Sequence, residues 1–224
     1  MSAFFVTATG TDIGKTFITA GLIRHLRGVG KYPRAFKPVV SGFERANAAA
    51  SDPGVLLDAM GEAISDENLN RISPWRYAAP LSPDMAAVRE GKTLDFDAIV
   101  AAARAQTGDP LFVEGVGGVM VPLDARRTVL DLMAALKLPL IVVTGNYLGT
   151  LSHTLTALEA LRARDLTVAA LVVNGGDDPV PLAETVAALA RFARGTPIAT
   201  IPHVSAPHEA APAFAALASL LGLC

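Results

Sequence analysis

A doubly wound α/β domain, with a mostly parallel sheet and helices on both faces, is what this sequence of 224 residues predicts. Three observations carry that expectation. Apolar runs rich in β-branched residues alternate with alanine-rich segments of helical spacing, the pattern of repeated βαβ units whose strands are buried on both faces. The runs end in glycine, proline or polar turns, which places ligands at the carboxyl ends of the strands. Between the first run and the first helical segment lies Ala8-Thr9-Gly10-Thr11-Asp12-Ile13-Gly14-Lys15-Thr16, the strand, loop and helix order of a phosphate cradle.

The strands are expected at Phe4 to Thr7, Ala35 to Val40, Leu111 to Glu114, Leu138 to Thr144, Val168 to Asn174 and Ile198 to Ile201. Helical spacing covers Thr16 to Arg27, Asp97 to Ala105, Thr150 to Arg164, Ala183 to Ala193 and Ala213 to Leu221. Ser41 to Thr93 departs from the alternation. It holds a short helix after Asp52, a proline-punctuated run from Ser73 to Pro83 and another short helix, and it reads as an insertion over the sheet end beside a second ligand. No repeat or linker divides the chain, so residues 1–224 are expected to form one domain.

Bulk properties exclude several classes. A net charge of −2 and an isoelectric point near 6.1 provide no broad footprint for a nucleic-acid backbone, and no block of Lys and Arg occurs. The mean hydropathy of +0.41 comes from short runs such as Leu138 to Val143, far below the ~20 apolar residues of a membrane span. No basic segment precedes Phe4 to Val6, so a cytoplasmic protein is expected. The single cysteine, Cys224, excludes an internal disulfide and a cysteine metal cage.

In the loop, successive N–H groups and the helix dipole face an anion, Lys15 reaches the terminal phosphates and the Thr16 hydroxyl suits Mg²⁺. A fold of the P-loop NTPase type is therefore expected, a glycine-bearing turn with a surface Lys-Thr being the alternative. Lys37 interrupts an apolar strand, where a buried ammonium is costly unless an anion neutralises it; a strand-end lysine snorkelling to water is the alternative. Ser41-Gly42 adds a hydroxyl and a turn nearby. Glu114 ends an apolar strand before Gly115-Val116-Gly117-Gly118, a position suited to a Mg²⁺-directed carboxylate or to a partnered surface glutamate. Asp52, before Pro53, reads as a helix N-cap. Asn174-Gly175 fits either a turn or an amide facing adenine. Gly149-Thr150-Leu151 begins a helix, open both to hydroxyl capping and to a carboxylate.

Phe5-Val6-Thr7 through Gly14-Lys15-Thr16, Phe36-Lys37-Pro38-Val39 with Ser41-Gly42, Val113-Glu114-Gly115 with Gly117-Gly118, and Leu148-Gly149 after Val142-Val143 occur in one order along the chain. In that combination the sequence closely resembles the dethiobiotin synthetase family almost from end to end, with counterparts also for Ser73 to Pro83 and for Ile201-Pro202. The resemblance implies ATP- and Mg²⁺-dependent closure of a ureido ring, converting 7,8-diaminononanoate and CO₂ to dethiobiotin through a carbamate and a carbamic-phosphoric anhydride. It implies catalysis by Lys37 and Lys15, with Asp12, Ile13, Gly14, Lys15, Thr16 and Phe17 around the phosphates. It moves Asp52 from cap to metal ligand beside Thr16 and Glu114, and adds Gly115, Val116 and Gly117 to the nucleotide site. Asn174, Gly175, Pro202, His203, Val204 and Glu209 would form the base pocket. Thr11, Lys37 and Ser41 would meet the substrate, while Leu148, Gly149, Thr150 and Leu151 would receive its distant carboxylate, near the interface of a homodimer. Two residues depart from the family pattern: Ala8 stands where a first loop glycine is usual, strained if that position needs positive φ, and Asp12 replaces a frequent glutamate.

The rival reading is a nucleotide-dependent switch or partitioning ATPase of the same broad fold. Such proteins usually carry an additional lysine early in the loop, where this chain has Ala8, Thr9 and Gly10. A glutamine-using synthetase needs a cysteine nucleophile, for which the sequence has no suitable residue.

Overall fold

The structure is a computed structural model and describes residues 2–177, 180–205 and 207–224. In chain order the elements are β1 (Ala3–Ala8), α1 (Lys15–Gly28), β2 (Arg34–Phe36), β3 (Val39–Ser41), α2 (Asp52–Met60), α3 (Asp66–Ile72), β4 (Trp75–Tyr77), α4 (Pro83–Arg89), α5 (Phe96–Arg104), β5 (Leu111–Glu114), α6 (Val129–Leu136), β6 (Leu140–Gly145), α7 (Thr150–Arg162), β7 (Val168–Asn174), α8 (Leu182–Phe192), β8 (Ile198–Ile201) and α9 (Ala211–Leu220). A six-stranded parallel sheet runs β2-β5-β1-β6-β7-β8. The strand β1 therefore lies inside the sheet, with β5 on one side and β6 on the other, and the loop after it opens at the carboxyl edge where ligands of such sheets bind.

Alternation along the strands splits the core in two. Phe4 and Val6 of β1, Phe112 of β5, Ile141 and Val143 of β6 and Val172 of β7 face one side, against Ile18 and Leu22 of α1, Leu56 of α2 and Leu217 of α9. Phe5, Val113, Val142 and Leu171 face the other, against Ile99 of α5, Met133 of α6, Leu158 of α7 and Leu189 of α8. Near-continuous apolar strands are what burial on both faces demands.

The expected strand from Ala35 to Val40 is broken. β2 pairs with β5, the chain steps aside at Lys37-Pro38, and β3 pairs with β4 in a separate two-stranded parallel sheet. Pro38 has no N–H for a ladder, and it steers the preceding lysine out of line. The 41–93 segment is also more than a covering insertion, because Leu56, Leu57, Leu69 and Ile72 are buried in the same core as α1. It carries three α-helices and a 3₁₀ segment (Arg45–Ala50) where two helices were expected, and α6 is a further element without a counterpart among the expected helices. No helix among the described residues is long and apolar enough to cross a membrane.

Candidate functional site

The phosphate loop leaves β1 at Ala8, a fully buried strand residue. Ala8 is absent from the residues of positive φ, so the strain expected of an alanine there does not arise; Asp12, with φ of 57°, takes the left-handed position instead. A short polar side chain tolerates that conformation better than most. Gly14 follows with φ of 98° and caps α1 without any side-chain bond, which leaves the first helix amides open to an anion. A Cβ on Gly14 would also lie 2.4 Å from the Asn174 amide nitrogen, so conformation and space both require glycine.

Behind the loop, Lys37 is 1% exposed and its Nζ donates to Glu114 Oε1 at 2.8 Å, to the Gly115 carbonyl at 3.1 Å and to Asp52 Oδ2 at 2.9 Å. Burial alone would depress this ammonium, but the carboxylates of Glu114 and Asp52 override it and hold Lys37 above its ordinary range. The neighbouring Lys15 has the opposite fate. Its burial and the charge of Lys37 push it down to about 8, against weaker support from Glu114 and Asp52, while its Nζ donates to the Gly10 carbonyl at 3.2 Å. Asp52 resists the effect of its burial because Lys37 and the Thr16 hydroxyl hold its carboxyl below the usual range.

The Thr16 hydroxyl donates to Glu114 Oε1 at 2.6 Å. Glu114 is wholly buried, yet its Oε2 has no hydrogen-bond partner among the described residues. An unsatisfied carboxylate oxygen in a dry place is costly unless something charged meets it. With the Thr16 hydroxyl and the Asp52 carboxylate alongside, the donor set is all oxygen and suits Mg²⁺. No group of three or more His, Cys, Asp or Glu side chains forms a metal cage among the described residues, so an ion here would complete its shell with ligand oxygens or water.

The structure brings these residues together in a cleft of about 440 Å³ lined by Thr11, Asp12, Lys15, Thr16, Lys37, Ser41 and Asp52, with Gly14, Phe17, Val116 and Gly117 also on its wall. Ala50 and Ser51 line it too, and sequence reading missed them. Ser51, not Asp52, caps α2: its hydroxyl accepts from the Gly54 N–H at 3.3 Å. This corrects the cap reading by one residue, and it leaves the Asp52 carboxylate at the first helical position free to meet Lys37. The triplet Ser51-Asp52-Pro53 was the available signal, since proline is favoured just inside a helix start and serine just before it.

The residues assigned to the base gather on the other flank of the loop. Asn174 Nδ2 donates to the Ile13 carbonyl at 3.2 Å, and the Gly175 N–H donates to the Ile201 carbonyl at 2.7 Å. A Cβ on Gly175 would come within 2.6 Å of the His203 backbone nitrogen, so Asn174-Gly175 and Pro202-His203 run side by side. Val204 packs on the core beneath, and Glu209 accepts from the Ser205 N–H at 3.2 Å.

Leu148 to Leu151 do not share the phosphate cleft. They line a second cleft of about 440 Å³ with Tyr147, Glu184, Thr185 and Arg191. Gly149, with φ of 97°, begins α7 with no side-chain cap, and the Thr150 hydroxyl turns back to the Gly145 carbonyl at 2.7 Å. Of the two openings for that helix start, hydroxyl capping is therefore not used. Leu148 stands 89% exposed at its edge.

A family described as an AAA domain (AAA_26) matches residues 2–210. The ATP-dependent dethiobiotin synthetase BioD of Acidiphilium cryptum is 50% identical over 202 residues, covering 88% of this chain and 91% of that protein. Those of Phenylobacterium zucineum and Caulobacter sp. are 48% and 49% identical, each over 90% of this chain and 89% and 88% of their own lengths. Among solved structures, the cell division ATPase MinD of Pyrococcus furiosus has a TM-score of 0.60 at 20% identity over 99% of each chain. A ParA family ATPase from Chlorobium tepidum has a TM-score of 0.53 at 14% identity, covering 100% of this chain and 92% of that one. At such identities the likeness extends to the P-loop fold and no further, and the partitioning ATPases are distant structural relatives. Half the residues shared with synthetases over nine-tenths of the length is a different order of likeness: the chain belongs to the dethiobiotin synthetase family.

Proposed function

We infer that this chain closes the ureido ring of dethiobiotin from 7,8-diaminononanoate, CO₂ and ATP. The observation that carries the reading is the buried Lys37 ammonium, placed between Glu114 and Asp52 at the wall of the cleft that holds the phosphate loop. One amine of the substrate adds to CO₂ and loses a proton, forming a carbamate anion. A carbamate oxygen then attacks the γ-phosphorus and ADP leaves, and the second amine attacks the activated carbonyl and expels phosphate. Both anions repel each other on approach, so positive charge between them is the chief requirement.

Lys37 and Lys15 supply that charge from the protein, and the open amides at the start of α1 add partial charge at the phosphates. Thr16, Asp52 and Glu114 would hold Mg²⁺, which when bound neutralises phosphate charge and orients the triphosphate. Ser41, on the wall of the cleft, would contact the reacting end of the substrate, and holding both amines of one short molecule favours the last, intramolecular step. Residues 148–151 lie in a separate cleft, and in a homodimer they would receive the distant carboxylate of the substrate near the subunit interface. Asn174, Gly175 and the 202–204 segment, with Glu209 supporting Ser205, would seat adenine. A cytoplasmic site of action suits a reaction fed by ATP.

The test is direct. Purified protein incubated with 7,8-diaminononanoate, bicarbonate, Mg²⁺ and ATP should form dethiobiotin by mass spectrometry, and omission of any one component should abolish it. ATP hydrolysis that proceeds at full rate without diamine or bicarbonate, with no dethiobiotin formed, would refute the reading.

A further inference from the structure

Between the two clefts runs a line of hydroxyls, three buried and the one at Thr9 half-buried, that the reaction does not use. Thr144, near the end of β6 and fully buried, places its Oγ1 at 2.9 Å from Thr150 Oγ1, 2.7 Å from Thr154 Oγ1 and 3.3 Å from Thr9 Oγ1. Thr9 is the first residue of the phosphate loop, and Thr150 is the first residue of α7, on the wall of the second cleft. Counting protons orders the whole set. A hydroxyl has one proton to give, and Thr150 gives its own to the Gly145 carbonyl. Thr144 must therefore donate to Thr150, and both Thr9 and Thr154 must donate to Thr144. Four protons fill four hydrogen bonds with none to spare, and around Thr144, Thr150 and Thr154 a displaced hydroxyl finds no water.

We propose that Thr144 is a positioning residue coupling the phosphate loop to the start of α7, so that the nucleotide site and the cleft at 148–151 change affinity together. Thr9 is also tied to β6 by its backbone, its N–H donating to the Val143 carbonyl at 3.0 Å. A shift of the loop around phosphate thus breaks the Thr9–Thr144 bond or moves Thr144, and the same proton order carries that choice to Thr150. The inference rests on the reading that residues 148–151 receive the substrate carboxylate. Linkage makes the effect reciprocal: whatever the diamine does to nucleotide affinity, nucleotide does to diamine affinity.

Calorimetric affinity for Mg²⁺ and a nonhydrolysable ATP analogue, with and without saturating 7,8-diaminononanoate, reads the coupling as a ratio. In the natural protein the diamine should tighten the analogue about fivefold or more. Thr144→Val keeps the shape and removes the hydroxyl, and should bring the ratio to within about twofold of one; Thr144→Ser should restore it. Thr9→Val, which cuts the line at its other end, should also lose it. Thr154→Val removes one donor but leaves the path from Thr9 to Gly145, so it should lower the melting temperature and keep the ratio. A natural protein with a ratio of one, a ratio unchanged in Thr144→Val and Thr9→Val, or equal losses in Thr144→Val and Thr154→Val would each overturn the proposal. Absence of dethiobiotin formation by the natural protein overturns the functional reading instead, and is scored separately.

Discussion

The two clefts at the carboxyl edge of the sheet are built from opposite materials. Around the phosphate loop the buried groups are charged: Lys15, Lys37 and Glu114 sit within the protein, with Asp52 at the mouth. At the end of β6 the buried groups are neutral hydroxyls, Thr144, Thr150 and Thr154, paired through one another, Thr9 and the Gly145 carbonyl. The first cleft leaves one carboxylate oxygen of Glu114 without a partner and depresses Lys15, while in the second Thr144, Thr150 and Thr154 are all paired and the unpartnered group is the neutral Thr185 hydroxyl. Buried charge that is incompletely paired marks a place completed by ligand, and a closed hydroxyl network marks a place that holds shape.

The sharpest way to break the contrast is Lys37→Ala. Dethiobiotin formation should fall by roughly 10²- to 10³-fold or more, with ATP binding largely retained. Loss of the ammonium also strands Glu114 in the core, costing roughly 3–5 kcal/mol of stability by urea unfolding. Lost nucleotide affinity with normal turnover would contradict the assigned role. Next in size is Glu114→Gln, which keeps the shape but removes a charge. Its Mg²⁺ titration should shift upward by roughly tenfold, the scale of one lost charge-assisted contact, and an unchanged titration would take Glu114 out of the metal site.

A smaller effect follows from Lys15. Its folded value of about 8 lies below the ordinary 10.5, so the desolvation cost of its charge is fully present below pH 8. Stability from this group therefore rises between pH 8 and 10.5, where the unfolded chain holds the proton and the folded one does not. A bound triphosphate favours the ammonium. ATP binding at pH 9 should take up about one proton, and at pH 6.5 about none, read by calorimetry in buffers of different ionisation enthalpy. Lys37, raised instead, contributes stability at all pH values below its ordinary value and loses it only at more alkaline pH. The smallest expected effect is Leu148→Ser at the rim of the neutral cleft. An exposed side chain without a buried partner should change unfolding by no more than about 0.5 kcal/mol, while KM for the diamine rises; a large loss of stability would mean that Leu148 is a structural residue.

Much of this architecture was legible in the residues. The β1 loop, with Gly14, Lys15 and Thr16, announces itself because a phosphate cradle needs its donors consecutive in sequence, and local order suffices to specify them. β5, β7 and β8 fall where apolar runs end in turns, since strands buried on both faces need unbroken apolar sequence. The break at Lys37-Pro38 was harder to read, because the run Val39-Val40 continues the β pattern while pairing with Trp75–Tyr77, far along the chain. The cap at Ser51 was misplaced by one residue because serine and aspartate are both good caps, and only the pull of Lys37 decides between them.

The sequence by itself determined the fold class, the phosphate loop and the family, because each depends on order along the chain and on short-range patterning. Tertiary structure alone decided which charges meet. Lys37, Asp52 and Glu114 come from three different segments of the chain, and burial, not spacing, sets the strength of their pairing. The same holds for Thr9, Thr144 and Thr154, ordinary threonines in sequence whose single protons acquire a direction only when the fold brings their oxygens within reach.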